Sequence, residues 1–189
     1  MRVVSPAVGP GERSPAVTLL QSMLARLHYA VPRTGVYDAG TQRAVLAWRK
    51  VVGATRNEIA NSSVFNGLIK GRGRFHVRHP LDGRHVEARL GDQVLALING
   101  AKVVDIYHIS SGKPSTPTVR GRFRVYMKTP GTNAKGMVDS NYFIRGYAIH
   151  GYFDVPVFAA SHGCLRVPIP DARRIYDWLS IGDVVWVEE

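Results

Sequence analysis

The sequence predicts an α+β protein of two domains, a small three-helix N-terminal domain followed by a mainly β domain with one helix near its C-terminus. Three observations predict it. Apolar residues recur at helical spacing as far as about Lys70. Beyond Arg74 they gather into short runs rich in Val, Ile, Leu and Tyr, and Gly71-Arg72-Gly73 stands between the two patterns as a hinge. The domains therefore read as residues 9–71 and 74–189.

In the first domain, Val17, Leu20, Leu24 and Leu27 form a helical stripe, with Leu19 and Met23 beside it. Ser14 is placed to cap that helix and Pro15 suits its first position, where a missing N–H costs nothing. Asp38 is placed to cap a second helix with Thr41, Ala44, Val45, Trp48 and Val52 inward, and a third is expected within 57–69. In the second domain, strands are expected over 75–77, 85–90, 93–98, 102–109, 123–127, 142–149 and 184–187. Asn99-Gly100 between two of these runs signals a hairpin, because its turn residues tolerate positive φ. A helix over Asp171 to Leu179 is expected to bury Ile175, Trp178 and Leu179.

Composition excludes several classes. An apolar fraction of 45% with 19 Gly and 11 Pro fits a folded, turn-rich protein, not a disordered chain. No run of about 20 apolar residues exists, so no membrane span is expected. Met1 to Pro6 lacks the apolar stretch of a signal peptide, so an exported protein would come from a longer precursor. The formal charge of +11 attracts polyanions without choosing among them. No alternation of basic and aromatic residues marks a nucleic-acid surface, and no nucleic-acid partner is expected.

The chain has one cysteine, Cys164, within Ser161-His162-Gly163-Cys164-Leu165-Arg166. A thiol attacks only as thiolate, so a nucleophilic role requires a base or a positive field nearby. His162 lies two residues away and His150 lies 14 residues upstream, and spacing alone does not choose between them. The amides of Gly163 and Cys164 are candidates to hold a developing oxyanion, and Arg166 is a candidate partner for a substrate carboxylate. His162, Cys164 and a distant histidine make a poor metal set without a Cys-x-x-Cys pair, so neither a metal nor another cofactor is expected.

Ile149-His150-Gly151 followed by Ser161-His162-Gly163-Cys164-Leu165-Arg166-Val167 closely resembles the signature of the L,D-transpeptidases, the YkuD-type catalytic domain. Ser111-Gly112-Lys113, Thr116-Pro117 and Gly121-Arg122-Phe123 resemble an upstream stretch of that family, and the likeness spans about 75–188. Val119-Arg120 before Gly121 and the short segment 152–160 depart from the family pattern. The resemblance implies Cys164 as nucleophile, His150 as its base, the Gly151 carbonyl orienting that base, and His162 stabilising the site. It implies Arg166, Ser161 and Tyr142 on the substrate side. The N-terminal pattern, from Val17, Leu20-Gln21 and Leu24 to Gly35-Val36-Tyr37-Asp38, Thr41, Ala44-Val45 and Trp48, is similar to three-helix peptidoglycan-binding domains, with Trp48 and Arg49 as departures.

Together these resemblances imply a peptidoglycan L,D-transpeptidase. Cys164 would take the acyl group of a stem peptide, expel the terminal D-alanine and pass the acyl group to a neighbouring amine, giving a 3→3 cross-link. Expected partners are peptidoglycan stem peptides and anionic wall polymers, and the expected place is extracytoplasmic, at the cell wall or in the periplasm. Carbapenem-type β-lactams are expected to acylate the same thiol. Hydrolysis of the thioester, as an L,D-carboxypeptidase, and wall binding without catalysis are the alternatives.

Overall fold

The computed structural model describes residues 7–189, so the reading of Met1 to Pro6 lies outside the described residues. The chain divides into two compact units, Met1–His76 and Val77–Glu189. Among the described residues no helix is long and apolar enough to cross a membrane.

Among its described residues the first unit holds three helices, α1 (Pro15–Arg26), α2 (Ala39–Val51) and α3 (Ser62–Ile69). Each starts on a side chain that accepts an otherwise unpaired amide: Ser14 from Val17, Asp38 from Thr41, Asn61 from Val64. Val17, Leu20 and Leu24 are fully buried, whereas Leu19 lies on the outer face, half exposed. The sequence stripe misses Gln21, which is also buried. Its amide donates to Thr41 Oγ1 and the Val36 carbonyl, each at 2.8 Å, and accepts from the Gly35 amide at 2.9 Å, tying α1 to the turn before α2. Arg49 is 4% exposed and spends its guanidinium on the Ile59 carbonyl, at 2.8 and 3.1 Å, and on that of Thr55. Trp48 donates from Nε1 to the Arg72 carbonyl at 2.9 Å, beneath α3.

The second unit is built from two sheets. Strands β1 (Arg84–Arg89), β2 (Val94–Asn99), β3 (Lys102–His108), β4 (Gly121–Arg124), β5 (Met127–Thr132), β6 (Val138–Ile144), β7 (Tyr147–Tyr152), β8 (Leu165–Pro168) and β9 (Val184–Glu188) are joined by one helix, α4 (Ile169–Trp178). The sheets run β3-β2-β1-β9-β4 and β5-β6-β7-β8. Each is antiparallel except for one parallel pair, β1 with β9 and β7 with β8. Phe123 of β4 meets Phe143 of β6, with ring centroids 5.7 Å apart, where the sheets face one another. Residues 94–98 of β2 are all buried, as a strand covered on both faces requires.

Several sequence expectations need correction. Residues 75–77 form no strand. The chain that follows is held by a carboxylate, since the Arg78 and His79 amides both donate to Glu87 Oε1, at 2.8 and 2.9 Å. The run 123–127 is broken, because the chain leaves the first sheet after Arg124 and enters the second at Met127. The run 142–149 is two strands of a hairpin, turned at Arg145-Gly146 with Arg145 in the left-handed region. At the predicted Asn-Gly turn, the loop is instead Gly100-Ala101, with Asn99 paired to Lys102 and only Gly100 at positive φ. Trp178 of α4 is half-buried under the Arg84 guanidinium; Ala172, Ile175 and Leu179 carry the inner face. The end of α4 is satisfied by Lys128 of β5, which donates to the Tyr176 and Leu179 carbonyls.

Gly67 tests the packing of the first unit. A Cβ there would stand 2.6 Å from Trp48 Cζ2, and the ring cannot retreat because it is bonded to Arg72 and presses on Gly73. Alanine gains about 1 kcal/mol of helix propensity over glycine but loses about 1–3 kcal/mol to overpacking. Gly67→Ala is therefore expected to lower the stability of this unit in urea unfolding; an unchanged or raised midpoint would contradict the packing.

Candidate active site

The site is assembled by the parallel pairing of β7 and β8. Ile149 lies opposite Leu165 and His150 opposite Arg166, which brings Cys164, one residue before β8, level with the start of β7. A tight turn, Ser161 to Cys164, delivers the chain into β8. Ser161 Oγ donates to the Cys164 carbonyl at 2.6 Å and accepts from the Gly163 amide at 3.1 Å. Gly163 has φ +115, and any Cβ would fall 2.2 Å from the Tyr147 ring, so only glycine serves there. Outside the turn, the segment carrying Ser110 and Gly112 pairs with Arg166 and Ser161 and backs this chain.

Cys164, His150, His162 and Arg166 line one open cleft of about 390 Å³. His150 is 3% exposed, and its Nδ1 lies 2.9 Å from the Gly151 carbonyl oxygen. A carbonyl only accepts, so Nδ1 carries the proton and Nε2 keeps its lone pair. Burial holds the imidazole neutral, pushing its pKa down to about 4. The Gly151 carbonyl opposes that shift and the Arg166 charge adds to it. Gly151 leaves no room for a side chain, since a Cβ would meet Ala172 of α4 at 2.7 Å; helix and strand close there directly. Burial pushes the Cys164 thiol up, while the Ala148 amide, the Arg166 charge and the Lys135 charge pull it down without cancelling that effect. The sulfur lies 3.9 Å from the Gly146 carbonyl.

Arg166 stacks over the Tyr152 ring at 4.2 Å and reaches Asp154, with Nη1 3.7 Å from Oδ2 and 3.4 Å from the backbone oxygen. His162 is exposed at the rim. Two expectations change. Tyr142 is not part of the cleft wall; its side chain leans toward Tyr126 and Asn133, and the tyrosines at the site are Tyr147 and Tyr152. Ser161 is 1% exposed with its hydroxyl committed inside the turn, and the Gly163 amide is spent on it, which leaves Cys164 N–H as the oxyanion candidate of that pair.

Lys135, Met137, Tyr147 and Tyr152 also line the cleft and were not found from sequence. Asn-Ala-Lys-Gly at 133–136 is a turn signal, but its place beside Cys164 is set by the pairing of β5, β6 and β7. Among the described residues no three His, Cys, Asp or Glu side chains form a group able to hold a metal ion.

The profile of the L,D-transpeptidase catalytic domain matches residues 83–187. The chain belongs to the L,D-transpeptidase family. A peptidoglycan binding domain profile also matches, at residues 13–57. The crystal structure of an L,D-transpeptidase (residues 123–326) from Xylanimonas cellulosilytica is 31% identical, covers 96% of this chain and 99% of that one, and has a TM-score of 0.86. An L,D-transpeptidase from Stackebrandtia nassauensis shares the fold at 18% identity, covering 95% and 94% of the two chains with a TM-score of 0.55. One from Mycobacterium tuberculosis shares it at 20% identity over 57% and 58%, TM-score 0.52. A comparison with curated proteins finds no significant match. This L,D-transpeptidase thus joins a helical unit matching a peptidoglycan binding domain to a β-rich catalytic unit.

With the thiol raised and the imidazole lowered, neither group is charged between about pH 5 and 8 in the resting site. Alkylation of Cys164 by iodoacetamide is therefore expected to keep accelerating through pH 8 and beyond, as the thiolate fraction grows. A rate already at plateau by pH 6 would reveal a preformed thiolate–imidazolium pair and overturn this assignment.

Proposed function

We propose that this L,D-transpeptidase cross-links peptidoglycan through a thioester on Cys164, with His150 as its base. The observation that carries the reading is that the two groups line one cleft. A half-buried thiol shares a cleft with a neutral histidine whose Nδ1–H is held by the Gly151 carbonyl, leaving Nε2 to take a proton.

In the first half-reaction, Nε2 of His150 takes the thiol proton as sulfur adds to the carbonyl carbon of the L-centre of the stem-peptide diamino acid. The Cys164 amide faces the oxygen that becomes negative. Collapse breaks the C–N bond, and the proton on His150 passes to the departing nitrogen, releasing D-alanine and leaving a thioester. In the second half-reaction, a side-chain amine of a neighbouring stem attacks the thioester and gives its proton to His150. The thiol returns, and the product is a 3→3 cross-link. Exposed at the rim, His162 is suited to steady the acyl intermediate. The peptidoglycan-binding match and the net charge of +11 favour action at an anionic wall, outside the cytoplasm.

Two experiments check the reading. Incubation with a disaccharide-tetrapeptide, followed by mass spectrometry, is expected to give dimer from the unmodified protein and none from Cys164→Ala. His150→Gln should reduce the rate by about a hundredfold or more, the usual worth of a general base. Tripeptide without dimer would identify a carboxypeptidase instead, and product from Cys164→Ala would overturn the thioester. Separately, a carbapenem is expected to add its mass to Cys164 of the intact protein. A free thiol that stays unmodified would count against an acyl-accepting site.

A further inference from the structure

The cleft around Cys164 has a charge pattern that the chemistry of acyl transfer does not itself require. Its lining carries two permanent cations, Lys135 and Arg166, and no Asp or Glu. The two cations are not equivalent. Arg166 is engaged, stacked on Tyr152 and directed at Asp154. No carboxylate among the described residues pairs with Lys135, although its charge acts on the Cys164 thiol.

Lys135 is also held in place at its backbone. It sits in the turn between β5 and β6, where the Asn133 side-chain oxygen accepts from the Lys135 amide at 2.9 Å and from the Met137 amide at 3.1 Å. Asn133 N–H donates to the Met137 carbonyl at 3.0 Å, and Gly136 N–H to the Asn133 carbonyl at 2.9 Å, with Gly136 at φ +73. A Cβ on Gly136 would lie 3.6 Å from the Tyr152 ring, so the turn rests beside the wall that holds Arg166. A long flexible cation is thus mounted on a closed turn at the mouth of the cleft, beside a nucleophile that it can reach only electrostatically.

We infer that Lys135 is a specificity-determining residue that pairs with a free carboxylate of the acyl-donor stem. This rests on the proposed function, since it assigns a substrate group to that same cleft. Two donor carboxylates have the required chemistry: the C-terminal carboxylate of the leaving D-amino acid and, where present, the side-chain carboxylate of the diamino acid. A lysine ammonium against a carboxylate in a partly enclosed cleft favours donors that keep that charge and disfavours their amides. The bland role of an exposed lysine, solvation alone, predicts no such discrimination.

The test compares three donors: the free-acid tetrapeptide, its C-terminal amide, and the tetrapeptide amidated on the diamino-acid side chain. With the unmodified protein, one of the two amides is expected to lose about tenfold or more in kcat/KM, and which one loses it identifies the carboxylate. In Lys135→Met the free acid falls toward that amide and the ratio collapses, chiefly through KM; Lys135→Arg keeps most of it. Iodoacetamide, which carries no carboxylate, separates this from a change in the thiol itself. If Lys135→Met slows alkylation and all three donors by one common factor, the lysine acts only on the thiolate and the proposal is overturned. Equal rates for all three donors with the unmodified protein overturn it as well. Should no donor turn over at all, the proposed function fails separately. Binding of the three stems to Cys164→Ala and to Cys164→Ala/Lys135→Met, by calorimetry, then decides: carboxylate preference lost with the lysine supports the inference, and its absence ends it.

Discussion

The register of β7 against β8 is the constraint on which the site depends. Side chains alternate along a strand, so a slip by one residue would turn His150 away from the cleft and carry the thiol out of reach. That register is enforced on both sides. Gly163 can pass Tyr147 only without a Cβ, and Gly151 admits α4 directly against the strand. The Ser161 hydroxyl, bonded to both Gly163 and Cys164, closes the turn that feeds β8. Cys164 and His150 are thus placed by backbone that close packing and hydrogen bonds hold on both strands.

The electrostatics follow from the same burial. A buried imidazole loses its hydration, which holds it neutral and able to accept a proton. The thiol pays the same penalty in the other direction, and two cations with one backbone amide offset part of it. The sign of each effect is set by burial; Arg166 deepens the shift of the imidazole and, with Lys135, moderates that of the thiol. The two groups therefore stand in one cleft with little charge separation between them.

Much of this was legible in the sequence, because it is local. Ser14 and Asp38 announce their helices by side-chain chemistry that needs no partner beyond the next turn. The cysteine-containing segment and His150-Gly151 carry a pattern specific enough to name a family. What stayed hidden is what tertiary pairing decides. The run 123–127 reads as one strand because nothing in its alternation records that the chain changes sheets between Arg124 and Met127. Residues 142–149 conceal a turn because Arg145, a residue that seldom adopts positive φ, takes the bend. Only four residues long, β8 lies below the length at which periodicity speaks. Lys135, Tyr147 and Tyr152 belong to the cleft through pairings among β5, β6 and β7, and Tyr142, on the same sheet, falls outside it. Gln21 stands outside the apolar stripe of α1, and nothing local in the sequence records that its amide is buried and bonded to Thr41 and the Val36 carbonyl.

The position of β9 has a consequence for how the chain is born. It follows β1 to β8 in the chain, yet it lies between β1 and β4 and joins both. While a ribosome is still extending the chain, β1, β2 and β3 can associate as antiparallel neighbours, but the other edge of β1 has no strand to pair with until residues 184–188 emerge. The first sheet can therefore be completed only late, and between the making of β1 and the making of β9 the nascent chain carries an unpaired edge open to other strands.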